Sequence, residues 1–388
     1  MLKFPVYMDY QSTTPVDKRV LDEMMPYFSE KFGNAASKSH EYGWTAERAV
    51  EIARGKIADL ISCSPKEIVF TSGATESNNL AIKGAAEYYS GRGNKIIISA
   101  AEHKSVIDTC SSLAGKGFEI LILPVDKYGM IDLDELSKAI DDKTILVSVM
   151  FANNEIGTLQ PVEKIGRLCK EKKVLFHCDA VQAAGKIPVQ VNEINADLVS
   201  LSAHKMYGPK GIGALYIRNK NPKVRLVPQI DGGGHERGFR SGTLNVPAII
   251  GFGKACEIAK AEMEKDFEYT NKLRSILIDG LKNKLDNIYI NGHPEKHLPN
   301  NVNVCLKDVD ADALMMSMKE IAVSSGSACS SASVESSHVL KAIGLSEKDA
   351  RSSIRIGIGK NTTKEEIDYV IEKMAFNALK LRNKILSL

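Results

Sequence analysis

From Ile68 onward the chain alternates short apolar runs rich in β-branched residues with longer stretches whose apolar positions recur at helical spacing. The runs are IVFTSG, KIIISA, EILILPV, TILVSVMFAN, VLFHCDA, DLVSLSAH and GALYI. Helices are predicted after the first to about Tyr89, after the second, from about Asp132 and from Val162. This alternation predicts an α/β fold: a mainly parallel sheet covered by helices on both faces, with ligands at the carboxyl ends of its strands. Upstream, a short arm precedes helices predicted over 16–32 and 45–61, with the polar FGNAASKSHEYGW between them.

After GALYI the pattern changes. A glycine-rich loop, GGGHERGFRSGT, precedes a long helix that starts at Asn245, a good N-cap with Pro247 in the first turn, and reaches about Leu285. Short strands in IYING and NNVNVCL follow, then a helix, a serine-rich loop, a helix ending at Gly344, the strand SSIRIGIG and a last helix from Thr363. This predicts a large domain over 16–260 and a smaller α+β domain made of 1–15 with 261–388.

Composition narrows the function. At 388 residues, 44% hydrophobic and 26% charged, the chain has the make-up of a soluble globular protein long enough for two domains. Lys plus Arg (51) nearly balance Asp plus Glu (48), which argues against a nucleic-acid or membrane surface and favours a small-molecule substrate. MLKFPVYMDY lacks the apolar core of a signal peptide and no later segment reads as a membrane span, so a cytoplasmic protein is expected. The 7 cysteines include no C-x-x-C pair, against both a disulfide framework and a zinc ribbon; no metal is expected.

Four stretches carry candidate chemistry. The run DLVSLSAH delivers Lys205 at a strand end before a Gly/Pro turn. A neutral amine, favoured over ammonium near a low-dielectric floor, forms a Schiff base with an aldehyde, although the site must then overcome a reference pKa of about 10.4. Taken alone, a lysine there more often simply closes a strand, so other stretches must converge on it. VLFHCDAVQAAG places His177 and Asp179 on one face of a strand, with Gln182 in the next turn. A carboxylate there suits a protonated heterocyclic nitrogen; metal ligation fits less well, because adjacent strand residues face opposite ways. Thr71-Ser72-Gly73-Ala74-Thr75-Glu76 joins a strand to a helix whose free N–H groups and Thr75 hydroxyl suit a phosphate, and it matches neither common nucleotide motif. His103 follows KIIISA and can stack on a flat group or shuttle protons. Finally, Cys329 lies in VSSGSACSSAS, where 6 of the 10 residues from Ser324 to Ser333 are serine; small residues cannot fill a core, so an accessible thiol on a mobile loop is expected.

With MDYQSTTP, NNEIGTLQP, SLSAHKMYGPKGIGALY, GGGHERGFRSGT, SSGSACSSAS and SSIR in this order, the chain resembles the NifS/IscS class of cysteine desulfurases, within the fold-type I pyridoxal phosphate enzymes. The resemblance runs to about residue 370. It implies that Lys205 carries pyridoxal 5'-phosphate, Asp179 pairs with the pyridine nitrogen, Gln182 and Asn154 lie near the ring oxygen and substrate, and His103 stacks on the ring. It further implies phosphate contacts from Ala74, Thr75, Ser202 and His204, with Thr243 reaching across from the partner of a homodimer. Arg355 and Asn34 would hold the substrate carboxylate, and a guanidinium fork suits that task independently. The implied activity converts L-cysteine to L-alanine, leaves a persulfide on Cys329 and delivers it to an acceptor such as an iron-sulfur scaffold protein. The alternatives are a selenocysteine lyase, another enzyme of the same fold, or a cofactor-binding scaffold without activity. Two segments depart from the family: Ala35 stands where proline is frequent, and ESSHVL replaces EPSYVL from Glu335. The chain also stops at Leu388, short of the tail by which the IscS subgroup contacts its scaffold.

Overall fold

Residues 2–325 and 336–386 are described by the computed structural model. The strands in chain order are β1 (Val6–Tyr7), β2 (Ile68–Thr71), β3 (Lys95–Ser99), β4 (Glu119–Leu123), β5 (Thr144–Ser148), β6 (Leu175–Asp179), β7 (Leu198–Ser202), β8 (Gly213–Ile217), β9 (Ile288–Asn291), β10 (Asn301–Leu306), β11 (Ile321–Ala322) and β12 (Ser353–Gly357). Seven of them form one sheet in the order β2-β8-β7-β6-β5-β3-β4. Neighbours pair in parallel except around β8, which runs antiparallel to both β7 and β2. The carboxyl ends Thr71, Ser99, Ser148, Asp179 and Ser202 therefore meet at one edge. The apolar runs of the sequence are these strands: β5 to β8 are buried along their whole length, while the edge strand β4 leaves Glu119 and Ile122 exposed. The fold is the predicted α/β arrangement, with a smaller antiparallel sheet β12-β10-β9 apart from the large one.

Helices cover both faces of the large sheet because each presents an apolar stripe. Ala74–Tyr89 and Lys104–Ala114 contribute Leu80, Ile82, Ala85, Val106 and Cys110 to one layer. On the other face, Glu41–Leu60 packs Val50, Ala53 and Ile57 against Ile249, Phe252 and Cys256 of the long helix Val246–Lys284. Their approach is so close that a Cβ on Gly253 would lie 2.6 Å from the Ala53 Cα. Farther along, Leu273, Leu277 and Leu281 of the long helix join a second apolar cluster with β10, β12 and the last helix, Lys364–Leu386.

The helix ends follow the capping chemistry read from the sequence. Asn245 accepts from Ala248 N (3.3 Å), Asp132 from Asp134 N and Glu135 N, and Thr363 and Glu366 cap each other reciprocally. One expectation changes. The stretch 16–32 is two short helices, Lys18–Met24 and Pro26–Ser29, because Pro26 has no N–H to donate backwards and sits well only where a helix restarts.

The loop after β8 is held by a buried ion pair. Arg54 donates from both guanidinium nitrogens to Glu236 (2.7 and 2.8 Å), and Glu236 also accepts from Phe70 N at the head of β2. Arg54 also stacks 4.5 Å from the Phe70 ring centroid. Replacing Arg54 with methionine strands the Glu236 charge, so Arg54→Met should lose about 3–5 kcal/mol of stability. A urea midpoint within error of the parent would show that the pair does not hold the loop.

Candidate active site

One cavity of about 530 Å³ opens at the shared strand edge, lined among others by Gln11, Ser12, Gly73, Thr75, His103, Asn154, Asp179, Gln182, Ser202, His204, Lys205 and Arg355. Asp179 ends β6 at 5% exposure; its Oδ1 accepts from Val181 N (3.0 Å) and its Oδ2 from Asn78 Nδ2 (2.9 Å). Asn78 belongs to the helix after β2, so two elements fix the carboxylate's direction. Lys205 ends a one-turn 3-10 helix directly after β7, and its ammonium donates to the carbonyl oxygens of Gln11 and Ser12, the latter at 2.8 Å. His103 caps the helix Lys104–Ala114, its Nδ1 accepting from Ser105 N (3.1 Å). Burial holds the imidazole below its ordinary value, an effect that the Asp179 charge opposes.

The opposite end of the cavity is an anion cradle. Ser72 to Glu76 bring the N-terminus of Ala74–Tyr89 to the wall, and Gly213 of β8 lies so near that a Cβ on it would be 2.7 Å from the Gly73 Cα. Ser202 Oγ is fully buried and has no hydrogen-bond partner among the described residues. His204 Nδ1 meets Thr13 Oγ1 at 3.1 Å, and burial with the neighbouring lysines pushes its pKa down to about 4.

Arg355, 2% exposed, reaches the cavity from β12. It is already engaged: Nη2 donates to Asp9 Oδ1 (2.7 Å) and Ser12 Oγ (2.6 Å), Nη1 donates to Asn154 O (3.2 Å), and only Nε is buried without a partner. The sequence-predicted residues Ala74, Thr75, His103, Asn154, Asp179, Gln182, Ser202, His204, Lys205 and Arg355 thus converge. Asn34 and Thr243 do not line this cavity; both are exposed, and Asn34 Oδ1 accepts from Ala36 N (2.9 Å). His177, two residues before Asp179, is sealed between Ser148 Oγ (2.8 Å) and Ser200 Oγ (3.0 Å) beneath the site, and burial pushes it down to about 4.

Cys329 lies outside the described residues. Its flanks do not: Ser324 exchanges backbone hydrogen bonds with Arg355, Ser337 donates to Glu155, and His338 meets the Glu102 carbonyl at 2.9 Å. The other cysteines behave as buried apolar groups: Cys110, Cys169, Cys178, Cys256 and Cys305 are buried, Cys63 is partly so, and burial raises all six thiols, Cys110 to about 12. Among the described residues no helix is long and apolar enough to cross a membrane.

The model of the class-V aminotransferase family matches residues 6–370. The chain belongs to the class-V aminotransferase family. Within the family it is 56% identical over 381 residues to cysteine desulfurase IscS of Anaeromyxobacter sp. (strain Fw109-5), covering 98% of this chain and 94% of that one. It is 55% identical to cysteine desulfurase IscS of Neisseria meningitidis (strain FAM18) at the same coverage. Among solved structures, a NifS-like protein superposes with a TM-score of 0.89 at 43% identity, covering 96% of this chain and 98% of that one. As a class-V aminotransferase the protein takes pyridoxal 5'-phosphate, and the cavity passes a physical test for it. A lysine, a fixed carboxylate and a helix N-terminus beside the unpartnered Ser202 hydroxyl face one space, which matches an aldehyde, a protonable ring nitrogen and a phosphate.

The sequence reading gave no role to Gln11, Ser12, Thr13 and Asp9. The segment MDYQSTTP was part of the resemblance, but it acts through the Gln11 and Ser12 carbonyls on Lys205 and through Asp9, Ser12 and Thr13 side chains on residues far along the chain, contacts that no local pattern reports. Asp179→Asn keeps the shape and removes the charge, so cofactor affinity should fall about ten- to hundredfold and turnover should collapse with it. Full cofactor occupancy with unchanged turnover would refute the pairing.

Proposed function

We infer that this chain is a pyridoxal 5'-phosphate-dependent cysteine desulfurase that converts L-cysteine to L-alanine and passes the sulfur to Cys329 as a persulfide. The observation that carries this reading is the convergence of Lys205 and Asp179 on one cavity in a chain 56% identical to a relative named cysteine desulfurase. When bound, the cofactor supplies an electron-withdrawing ring that stabilises negative charge on the substrate carbon.

The chain's own residues supply the rest. Lys205 would hold the cofactor's aldehyde carbon, and its free amine would move protons at the substrate carbon; its hydrogen bonds to Gln11 and Ser12 hold the amine at the cavity wall. Asp179 keeps the ring nitrogen protonated. His103, held neutral by burial, stands ready to accept a proton. The phosphate is held by Thr75, the Ala74 backbone, Ser202 and His204, and Thr243 of a second copy completes this cradle in a homodimer. Arg355, with Asn154, binds the substrate carboxylate, whereas Asn34, outside this cavity, takes no part within the chain; the unpartnered Nε supports the Arg355 role, and the carboxylate competes with Asp9 for the rest of the fork.

Cys329 is five residues beyond Ser324, so extended chain geometry lets it reach no farther than about 17 Å from the backbone pairing with Arg355. That radius includes the cavity. The two-domain division belongs to the same reading, with 16–260 as the cofactor domain and 1–15 with 261–388 as the domain bearing Cys329. It is supported by the change of apolar cluster between Ile258 and Leu273 of the long helix. The sulfur then passes to an acceptor protein for iron-sulfur cluster assembly or another delivery route, in a cytoplasmic setting.

Borohydride treatment of the holoenzyme should fix the cofactor on the peptide containing Lys205; label on Lys210, which lines the same cavity, would sink the assignment. A second measurement separates the two halves of the reaction. Cys329→Ala should keep the visible spectrum of the cofactor and still change it on adding cysteine, yet, with a thiol reductant present to free the persulfide sulfur, release sulfide at least about a hundredfold more slowly, with Cys63→Ala and Cys305→Ala near the parent rate. Parent-level sulfide release by Cys329→Ala would exclude the persulfide route.

A further inference from the structure

Lys186 lies one turn after Gln182, behind the cavity wall, and its ammonium donates to Gln182 Oε1 (3.0 Å) and to the Gln182 carbonyl (3.1 Å). Among the described residues it makes no ion pair. It also lines a recess with Tyr10, Tyr207, Asp266 and Lys360. There Lys360 is taken by Asp17 (2.9 Å) and Glu262 (3.2 Å), and Asp266 makes no bond to Lys186. The charged group that acts on Lys186 from the other side is Lys205. A lysine buried with two neutral acceptors beside a second lysine gains nothing for stability, which calls for a different explanation.

The geometry gives one. Lysine as ammonium can only donate, so the atom of the Gln182 amide that faces it must be the oxygen. The NH2 then faces the other way, where one N–H donates to Gln11 O (2.9 Å), the same carbonyl that Lys205 uses. The second N–H has no recorded partner among the described residues and belongs to a cavity-lining side chain.

We propose that Lys186 is a positioning residue of this active site: by taking Gln182 Oε1 it turns the Gln182 NH2 toward the cavity, as a donor for the ring oxygen of the bound cofactor. The inference rests on the cofactor reading of the cavity. Its charge has a second effect, since a cation behind Lys205 disfavours another proton at Lys205. Burial and the Lys205 charge hold Lys186 itself down to about 7.

The test compares holoenzymes of the parent, Lys186→Met, Lys186→Arg, Gln182→Leu and the double variant Lys186→Met/Gln182→Leu. For each, the apparent dissociation constant of pyridoxal 5'-phosphate and the pH midpoint of its visible absorbance are measured. Lys186→Met should weaken the cofactor about tenfold and raise the midpoint by about half to one pH unit, with Lys186→Arg restoring both. In the Gln182→Leu background Lys186→Met should cost no further affinity, because the route through Gln182 is already gone. Equal losses in both backgrounds, or a Lys186→Met protein with parent affinity and midpoint, would overturn the proposal. Should methionine disturb folding, Lys186→Leu, which likewise has no donor for Gln182 Oε1, gives the same comparison. A parent protein that does not carry cofactor on Lys205 would remove the functional reading itself, whereas a loaded parent with an unaltered Lys186→Met removes only this inference.

Discussion

The carbonyl oxygen of Gln11 accepts from both Lys205 Nζ and Gln182 Nε2, and through it three separate stretches of chain meet. Ser12 adds its own carbonyl to Lys205 and its hydroxyl to Arg355, so the fourth stretch, β12, is tied to the same two residues. Neither residue belongs to the large sheet. The N-terminal arm is anchored instead by β1 pairing with β11, by Gln11 Nε2 donating to Asn300 O (2.8 Å) and by Gly357 N donating to Met8 O (2.7 Å). A change anywhere along this arm therefore reaches the reactive amine without touching it.

Around that junction, desolvation sorts the titratable groups. His177 and His204 are driven down to about 4, and Glu102 is pushed well above the carboxylate range by burial and by Asp179. The two imidazoles are thereby neutral at pH 7. Lys186 follows the same rule with its pKa at about 7: its native value lies below the ordinary value of about 10.4, so it costs stability below pH 7 and that cost fades as the pH rises toward 10. Beside these neutral imidazoles the cavity wall carries charged side chains of both signs, Asp179 and Glu76 with Lys205, Lys210 and Arg355, and a weakly polar surrounding strengthens their hold on a bound anion.

The sequence announced most of the frame because its signals are local. Runs such as KIIIS and LVSLS are too apolar and β-branched for anything but buried strands, and Asn245, Asp132 and Thr363 cap helices by bonds within three residues. Lys205 and Asp179 drew notice for the same reason, standing at or just past the end of such a strand, whereas Ser202 entered only through the family resemblance. What stayed hidden depends on long-range contact. His177 shares a strand face with Asp179 in the pattern, yet Ser148 and Ser200 from the neighbouring strands enclose it. Asp9 engaging Arg355, 346 positions away, has no local signature at all.

Arg355 connects the two halves of the chemistry. Its backbone pairs with Ser324, the last described residue but one before the segment bearing Cys329, while its guanidinium enters the cavity. On the far side of that segment, Ser337 is bonded to Glu155, one residue after Asn154, whose carbonyl accepts from Arg355. The segment holding Cys329 is thus flanked on one side by the backbone pairing with Arg355 and on the other by a bond to Glu155, the neighbour of Asn154. If Arg355 grips the substrate carboxylate as proposed, the residue whose guanidinium binds substrate is also the one whose backbone anchors the chain leading to Cys329, so a substitution at this one buried position on β12 would disturb both.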